Sequence, residues 1–325
     1  GNVTAAALNT RGNVALYHGR YKDADKLYRK SLGIERRGRG NRDKGAVLNN
    51  MATVAAARGD LERSRTLLVQ AVEEAREGNN RTQEGGILVA LAGVEHQLGD
   101  RNGMQAHLDE AVAIYRDLDL DRGMVEVRLQ QARLARSEQR WAEAMDSLEL
   151  ARIALRELSL PHMDAEVDLL ECELLMDRAD PHAARTAAER SRRWFEEASQ
   201  PVQVAGAELC WAEASAQIGE DQAAFDAYQR AIAAFDASGV EARLADARQR
   251  QGLFLIGHGQ RDEGREAVAA AVAWLRDEGR DAERSQVCNA EGYALGETGA
   301  LEEALGAFEE SETAAIAAQR DDLEQ

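Results

Sequence analysis

Proline, aromatic residues, cysteine and lysine are all scarce in this 325-residue chain, which has three prolines, 5% aromatics, three cysteines and four lysines. Strands draw on aromatic and β-branched residues. So few of the former, beside 44% apolar and 30% charged residues rich in helix formers, exclude a sheet protein. No apolar run approaches the roughly 18 residues of a membrane span. The opening Gly1-Asn2-Val3-Thr4 has neither the basic start nor the apolar stretch of a signal peptide. The chain therefore reads as cytoplasmic, without a membrane partner. Cys172, Cys210 and Cys288 show no CxxC or CxxH spacing, so neither a zinc site nor a disulfide framework is expected; each lies in an apolar helical stretch and reads as buried filler. HExxH and P-loop motifs are absent and the six histidines are scattered. No enzymatic activity, metal or cofactor is expected.

Positive charge is also in short supply. The net charge of -18 repels a phosphate backbone and argues against nucleic acid as a partner. The charge is graded: residues 1–160 carry 25 basic and 23 acidic side chains, residues 161–325 carry 15 and 35. The basic run Arg36, Arg37, Arg39, Arg42 lacks interleaved aromatics and reads as a solvated loop.

What the chain has in abundance is internal repetition. Gly19, Gly59, Gly99, Gly219, Gly259 and Gly299 stand on a register of 40, with Gln139 and Ala179 in the two remaining places. Seven residues earlier come Gly12, Ala52, Ala92, Ala132, Cys172, Ala212, Gly252 and Gly292, all small. Five residues later the column is again small (Ala24, Ser64, Ala144, Ala184, Ala224, Gly264, Ala304) with Met104 as its exception. A bulky residue follows four positions on, among them Tyr28, Leu68, Leu108, Leu148, Tyr228 and Phe308. Small faces let two helices approach, and the bulky column fills the space between them. Gly-Asp at 59–60 and 99–100 supplies a C-cap and an N-cap in succession. Pro161, Pro181 and Pro201 suit first helical positions. The unit is an antiparallel hairpin of two helices of about 14–16 residues. Eight copies, at 1–40, 41–80, 81–120, 121–160, 161–200, 201–240, 241–280 and 281–325, predict an all-α fold: a right-handed α-solenoid forming one superhelical domain over 1–325. Trp194, Phe195, Phe235 and Trp274 read as core between repeats, and Trp141 packs where repeat one has Tyr21.

Leu8, Gly12, Gly19, Tyr21, Ala24, Tyr28 and Ser31, repeated by Leu48, Ala52, Gly59, Leu61, Leu68 and Ala71, resemble the tetratricopeptide repeat. The 40-residue period is similar to the long-helix variants of kinesin light chain, of Pins-type adaptors, and of bacterial sensor regions of the Rap and MalT kinds. The chain departs from the pattern where a large apolar residue (Met51, Leu91, Trp211) is replaced by Arg11, Gln131, Glu171, Gln251 or Glu291, which implies less regular packing or rotated first helices there. The resemblance implies a protein- or peptide-binding scaffold whose groove is lined by first helices. The positions carried over are Asn9, Asn13, Tyr17, Asn49, Asn50, Thr53, His96, Gln97, Arg133, Arg136, Glu173, Asp177 and Glu213. Asparagines can pair with a peptide backbone without demanding a sequence, and Asn49-Asn50 looks like the pair used this way in kinesin light chain-type repeats. Asn13 and Asn50 also match two members of the chaperone-binding carboxylate clamp, but Asn9, Gly86 and Ala90 stand at its cationic places, which argues against a chaperone C-terminus as ligand. Arg133 and Arg136 either meet a ligand or pair with Glu173 and Asp177. An acidic far half (Glu166, Glu173, Asp177, Glu213, Asp246) implies a basic segment in the ligand, and the charge gradient allows head-to-tail self-association as a rival. The alternative function is a small-ligand sensor of the MalT kind. The glycine start and the lack of a polar capping helix suggest a fragment of a longer protein; 36 arginines against four lysines resemble a bacterial signalling or regulatory protein of high genomic GC.

Overall fold

The computed structural model describes residues 4–36, 44–158 and 160–324. Arg37, Arg39 and Arg42 of the expected loop lie outside the described residues, as does Ser159. Two compact units are present: Gly1–Leu16 with Tyr21–Gln200, and Tyr17–Arg20 with Pro201–Gln325. The described residues form sixteen helices and no strand. In the first unit α1 (Ala5–Tyr17) pairs with α2 (Tyr21–Glu35), α3 (Lys44–Ala57) with α4 (Leu61–Glu77), α5 (Arg81–Gln97) with α6 (Arg101–Asp117), α7 (Asp121–Ser137) with α8 (Trp141–Leu158), and α9 (Pro161–Asp177) with α10 (Pro181–Glu197). In the second, α11 (Pro201–Gln217) pairs with α12 (Asp221–Ser238), α13 (Glu241–Gly257) with α14 (Arg261–Glu278), and α15 (Asp281–Glu297) with α16 (Leu301–Glu324). The fold is an all-α solenoid of helical hairpins at the predicted period. First helices of successive hairpins touch one another, α3 with α5, α5 with α7, α7 with α9 and, in the second unit, α13 with α15. They form a continuous face within each unit.

The turns explain the period. All eight register positions have positive φ: the six glycines lie at 75–83°, and Gln139 and Ala179 adopt the same left-handed conformation at 57° and 55°. Between them a second set, including Asn79 (52°), Asp119 (52°), Gly239 (63°) and Gly279 (72°), falls midway. From Gly59 to Gly299 each carries the same pair of bonds: the Gly99 N–H donates to the His96 carbonyl at 2.9 Å and the Asp100 N–H to the Glu95 carbonyl at 2.8 Å, a Schellman closure. The residue after the closure is already the N-cap, as when Asp60 and Asp100 accept from the Arg63 and Gly103 N–H groups at 3.1 and 2.9 Å. From α4 to α15 only two or three residues separate successive helices, which run 17 or 18 residues and exceed the expected 14–16. A side chain at left-handed φ costs energy that glycine avoids. Gln139→Gly and Ala179→Gly should therefore each raise stability by about 1 kcal/mol, read as a higher urea midpoint at unchanged m-value; no gain at either position would show that the turns are not strained.

The small columns are the contact surface of each hairpin. Ala24, Ala144, Ala184 and Ala224 have no exposed surface, and a Cβ built on Gly12 would lie 2.4 Å from the Tyr28 ring. Serines in the column after the bulky residue satisfy their hydroxyls locally, Ser31 on the Ala5 carbonyl at 2.7 Å and Ser191 on that of Ala165 at 2.8 Å. Phe195 and Phe235 are buried as expected. Cys288 is free and buried, its thiol pushed up to about 11 first by burial and then by Glu310 and Glu291. Cys172 and Cys210 are disulfide-bonded, which corrects their reading as plain filler.

Three of the polar departures, Gln131, Glu171 and Glu291, find polar partners. Where the first two junctions bury Leu32, Val72, Leu48, Met51, Leu88 and Leu91, the junction of α8 and α9 has at the same register places Arg152, Asp168 and Glu171, with Arg152 at 2.7 Å from each carboxylate. Arg190 of α10 closes the cluster at 2.9 Å from Asp168 and 2.5 Å from Glu171, and hydrogen bonding to Asp168 holds its guanidinium above the ordinary range. Gln131 accepts from Arg128 at 2.9 Å, and Glu291 lies 3.5 Å from Arg265.

Candidate functional site

On the first-helix face of the first unit, asparagines of α1 and α3 meet. Asn50 Nδ2 donates to Asn9 Oδ1 at 3.1 Å and to Asn13 Oδ1 at 2.9 Å. The Tyr28 hydroxyl, reaching through from α2, donates to the same Asn13 oxygen at 2.8 Å. Burial raises the Tyr28 phenol far above its usual range, so it stays a donor. That fixes the orientation of the whole cluster. The Asn13 oxygen is occupied twice, both hydrogens of Asn50 Nδ2 are used, and the free edges are Nδ2 of Asn9, Nδ2 of Asn13 and Oδ1 of Asn50. Two donors and one acceptor thus remain at the surface, the complement of a peptide group.

Asn49 does not share in this. Its Oδ1 is buried without a hydrogen bond, and its main-chain carbonyl accepts from the exposed Thr53 hydroxyl at 3.1 Å. The adjacent asparagines are one helical step, about 100°, apart, and only Asn50 joins the cluster. Farther along the face, His96 Nε2 lies 2.6 Å from the Ser137 hydroxyl, and Gln97 and Arg133 are exposed. Arg136 of α7 bridges Glu173 and Asp177 of α9, at 2.5 Å to Asp177. Tyr17, at the end of α1, is half-exposed.

In the second unit Glu213 of α11 is bound by Arg250 of α13 at 2.7 Å, and Arg250 is held by Asp246 at 2.9 Å. Burial disfavours the Arg250 charge, but the two carboxylates outweigh it and hold the guanidinium well above its ordinary range. Glu213 and Arg250 occupy the register places of Asn13 and Asn50, and Tyr228, its phenol raised by burial and then by Glu213, stands at the place of Tyr28. One geometry is thus built twice, in neutral amides and in an ion pair. Glu173, Asp177, Glu213 and Asp246 already have cations, which corrects the picture of an open acidic stretch. Tyr28 and Arg250 were the participants missed from sequence; Arg250 stands on the 40-residue register of Asn50, and Tyr28 on that of Tyr228, which is the signal that could have found them. Among the described residues no group of His, Cys, Asp and Glu could hold a metal ion, and no helix is long and apolar enough to cross a membrane.

The tetratricopeptide repeat model matches residues 3–77. Among solved structures, the chain is similar to a Rap protein complexed with competence and sporulation factor, with TM-score 0.69 and 14% identity over 97% of this chain and 98% of that one. It is also similar to aspartyl phosphate phosphatase F from Bacillus subtilis, with TM-score 0.65 and 11% identity over 97% and 95%. A third is a signal transduction ATPase with a tetratricopeptide repeat sensor from Pyrococcus horikoshii, with TM-score 0.60 and 12% identity over 98% of this chain and 49% of that one. At these identities the likeness establishes the fold. No curated protein matches the chain in sequence.

Proposed function

From a chain built as a tetratricopeptide-type repeat array, we propose a non-catalytic scaffold whose first-helix face takes an extended segment of a partner protein, with Asn9, Asn13 and Asn50 holding the segment's backbone. The observation that carries this reading is the fixed orientation of the asparagine cluster, which leaves two amide donors and one acceptor at the surface. A Rap protein of the same fold was solved with competence and sporulation factor bound, which supports a binding role. The arginine-rich, alanine-rich composition favours a bacterial regulatory setting. Recognition here is of main chain. Four of the five acidic residues that suggested a basic segment, Glu173, Asp177, Glu213 and Asp246, are matched by Arg136 and Arg250.

The test is to select peptides by display against the intact chain and measure binding by calorimetry. Net hydrogen bonds contribute about 0.5–1.5 kcal/mol each, so Asn50→Ala, which also releases Asn9 and Asn13, should weaken binding about tenfold while the helical circular dichroism is unchanged. Because the cluster is neutral, affinity should change little between about 0.1 and 1 M salt. Selected peptides that are indifferent to all three asparagines, or failure to select any, sink the reading.

A further inference from the structure

A second surface on the first unit has the form of a binding site, and neither the asparagine cluster nor Arg136, Glu173 and Asp177 line it. A trench of about 300 Å³ lies between α6 and α8 with α7 as its floor. Its base is apolar, from Met104, Leu108, Leu134 and Leu150, and its rim is polar, from Arg140, Glu143 and Asp146. Met104 is the one large residue in an otherwise small column, standing where the sister hairpins have Ala24, Ala144 or Ala184.

The repeats themselves serve as controls for what an outward position carries. The places equivalent to Leu150 are Lys30, Gln70, Glu110, Arg190, Arg230, Ala270 and Glu310. Those equivalent to Ile153 include Gly33, Glu73, Ala113 and Arg193, and in none of the seven other repeats is the residue a large apolar one. Only α8 places leucine and isoleucine there, 44% and 48% exposed and three residues apart on one face. Folding alone does not call for them, since seven hairpins do without.

We propose that this trench docks an amphipathic helix of a partner protein, its apolar residues seated over Met104, Leu134 and Leu150 and a lysine or arginine paired with Asp146. The walls are helices whose backbone groups are bonded within themselves, so the trench offers no edge to an extended strand, whose own N–H and C=O groups would go unpaired over an apolar base. A helix brings its backbone already satisfied. The charge follows from the rim: Arg140 is bound to Glu138 at 2.7 Å and to Glu143, while the exposed Asp146 has no ion-pair partner among the described residues.

The probe is a labelled synthetic helix with leucines at i, i+4 and i+7, one arginine a turn away, and alanine and glutamine elsewhere, titrated by fluorescence anisotropy against the full chain. Saturable binding is expected. The pair Leu150→Arg and Ile153→Arg, which installs the residues that repeat five carries as Arg190 and Arg193, should weaken it at least about tenfold without loss of helical signal. Asp146→Lys should weaken the arginine probe more than a probe with glutamine in its place. Asn50→Ala should leave binding unchanged, which separates this site from the asparagine face. No saturation by about 1 mM, indifference to the double arginine change, or loss with Asn50→Ala would each overturn the proposal.

Discussion

A chain with methionine in place of both Arg152 and Arg190 should unfold at markedly lower urea, having lost about 3–5 kcal/mol. The two guanidiniums are the cations of Asp168, which is only 8% exposed, and of Glu171 beside it. Without them a carboxylate remains in the junction of α8 and α9 with its desolvation uncompensated. The comparison that isolates charge from packing adds Asp168→Leu and Glu171→Leu, which recreates the Leu48 and Leu91 arrangement of earlier junctions. That fourfold variant should regain most of the loss, because a buried ion pair is seldom more stable than apolar residues of similar volume. If the double variant loses less than about 1 kcal/mol, the cluster behaves as a solvated surface network and its burial has been overestimated.

The second large effect is expected at Gly252. A Cβ there would lie 2.6 Å from the Gly264 carbonyl oxygen and 2.7 Å from Val268 Cγ2, so even alanine must separate α13 from α14. Overpacking of this kind costs about 1–3 kcal/mol, and leucine at the same place should exceed that range. Gly306, inside α16 with nothing within 4 Å of its would-be Cβ, is the opposite case. Gly306→Ala should stabilise by about 0.5–1 kcal/mol, because the helix loses only the entropic penalty of glycine. Urea titration of the three variants tests both directions; a neutral Gly252→Leu would mean that the small column is not where the helices meet.

The columns that predict these effects are legible in the amino-acid sequence alone, because close helix contact tolerates only small residues and the period of 40 repeats the constraint eight times. Helix identity, hairpin pairing and the Gly-Asp caps follow from the same arithmetic. The length of the helices does not. Asn79, Asp119 and Ser199 adopt the left-handed conformation without being glycine, so the second set of turns is hidden and the helices look shorter. The candidate site is legible only in part. Asn9, Asn13 and Asn50 fall on one face by helical period, but which amide edges stay free depends on the Tyr28 hydroxyl, a contact made through the hairpin. Ion pairing is equally hidden, since Arg136 reaches Glu173 and Asp177 across 37 and 41 residues, and Arg250 reaches Glu213 across 37.

Turns every twenty residues make the chain a ruler that tolerates errors only in whole divisions. One residue inserted within a helix rotates everything beyond it by about 100°, which carries Ala184 or Ala224 to solvent and a charged neighbour into their place. A loss of forty residues from turn to turn, such as 81–120, leaves every later column in phase and costs chiefly one hairpin's share of nearest-neighbour contacts. Length variation in arrays of this kind should therefore come in steps of one hairpin, by duplication or excision, and small insertions should be confined to the short turns.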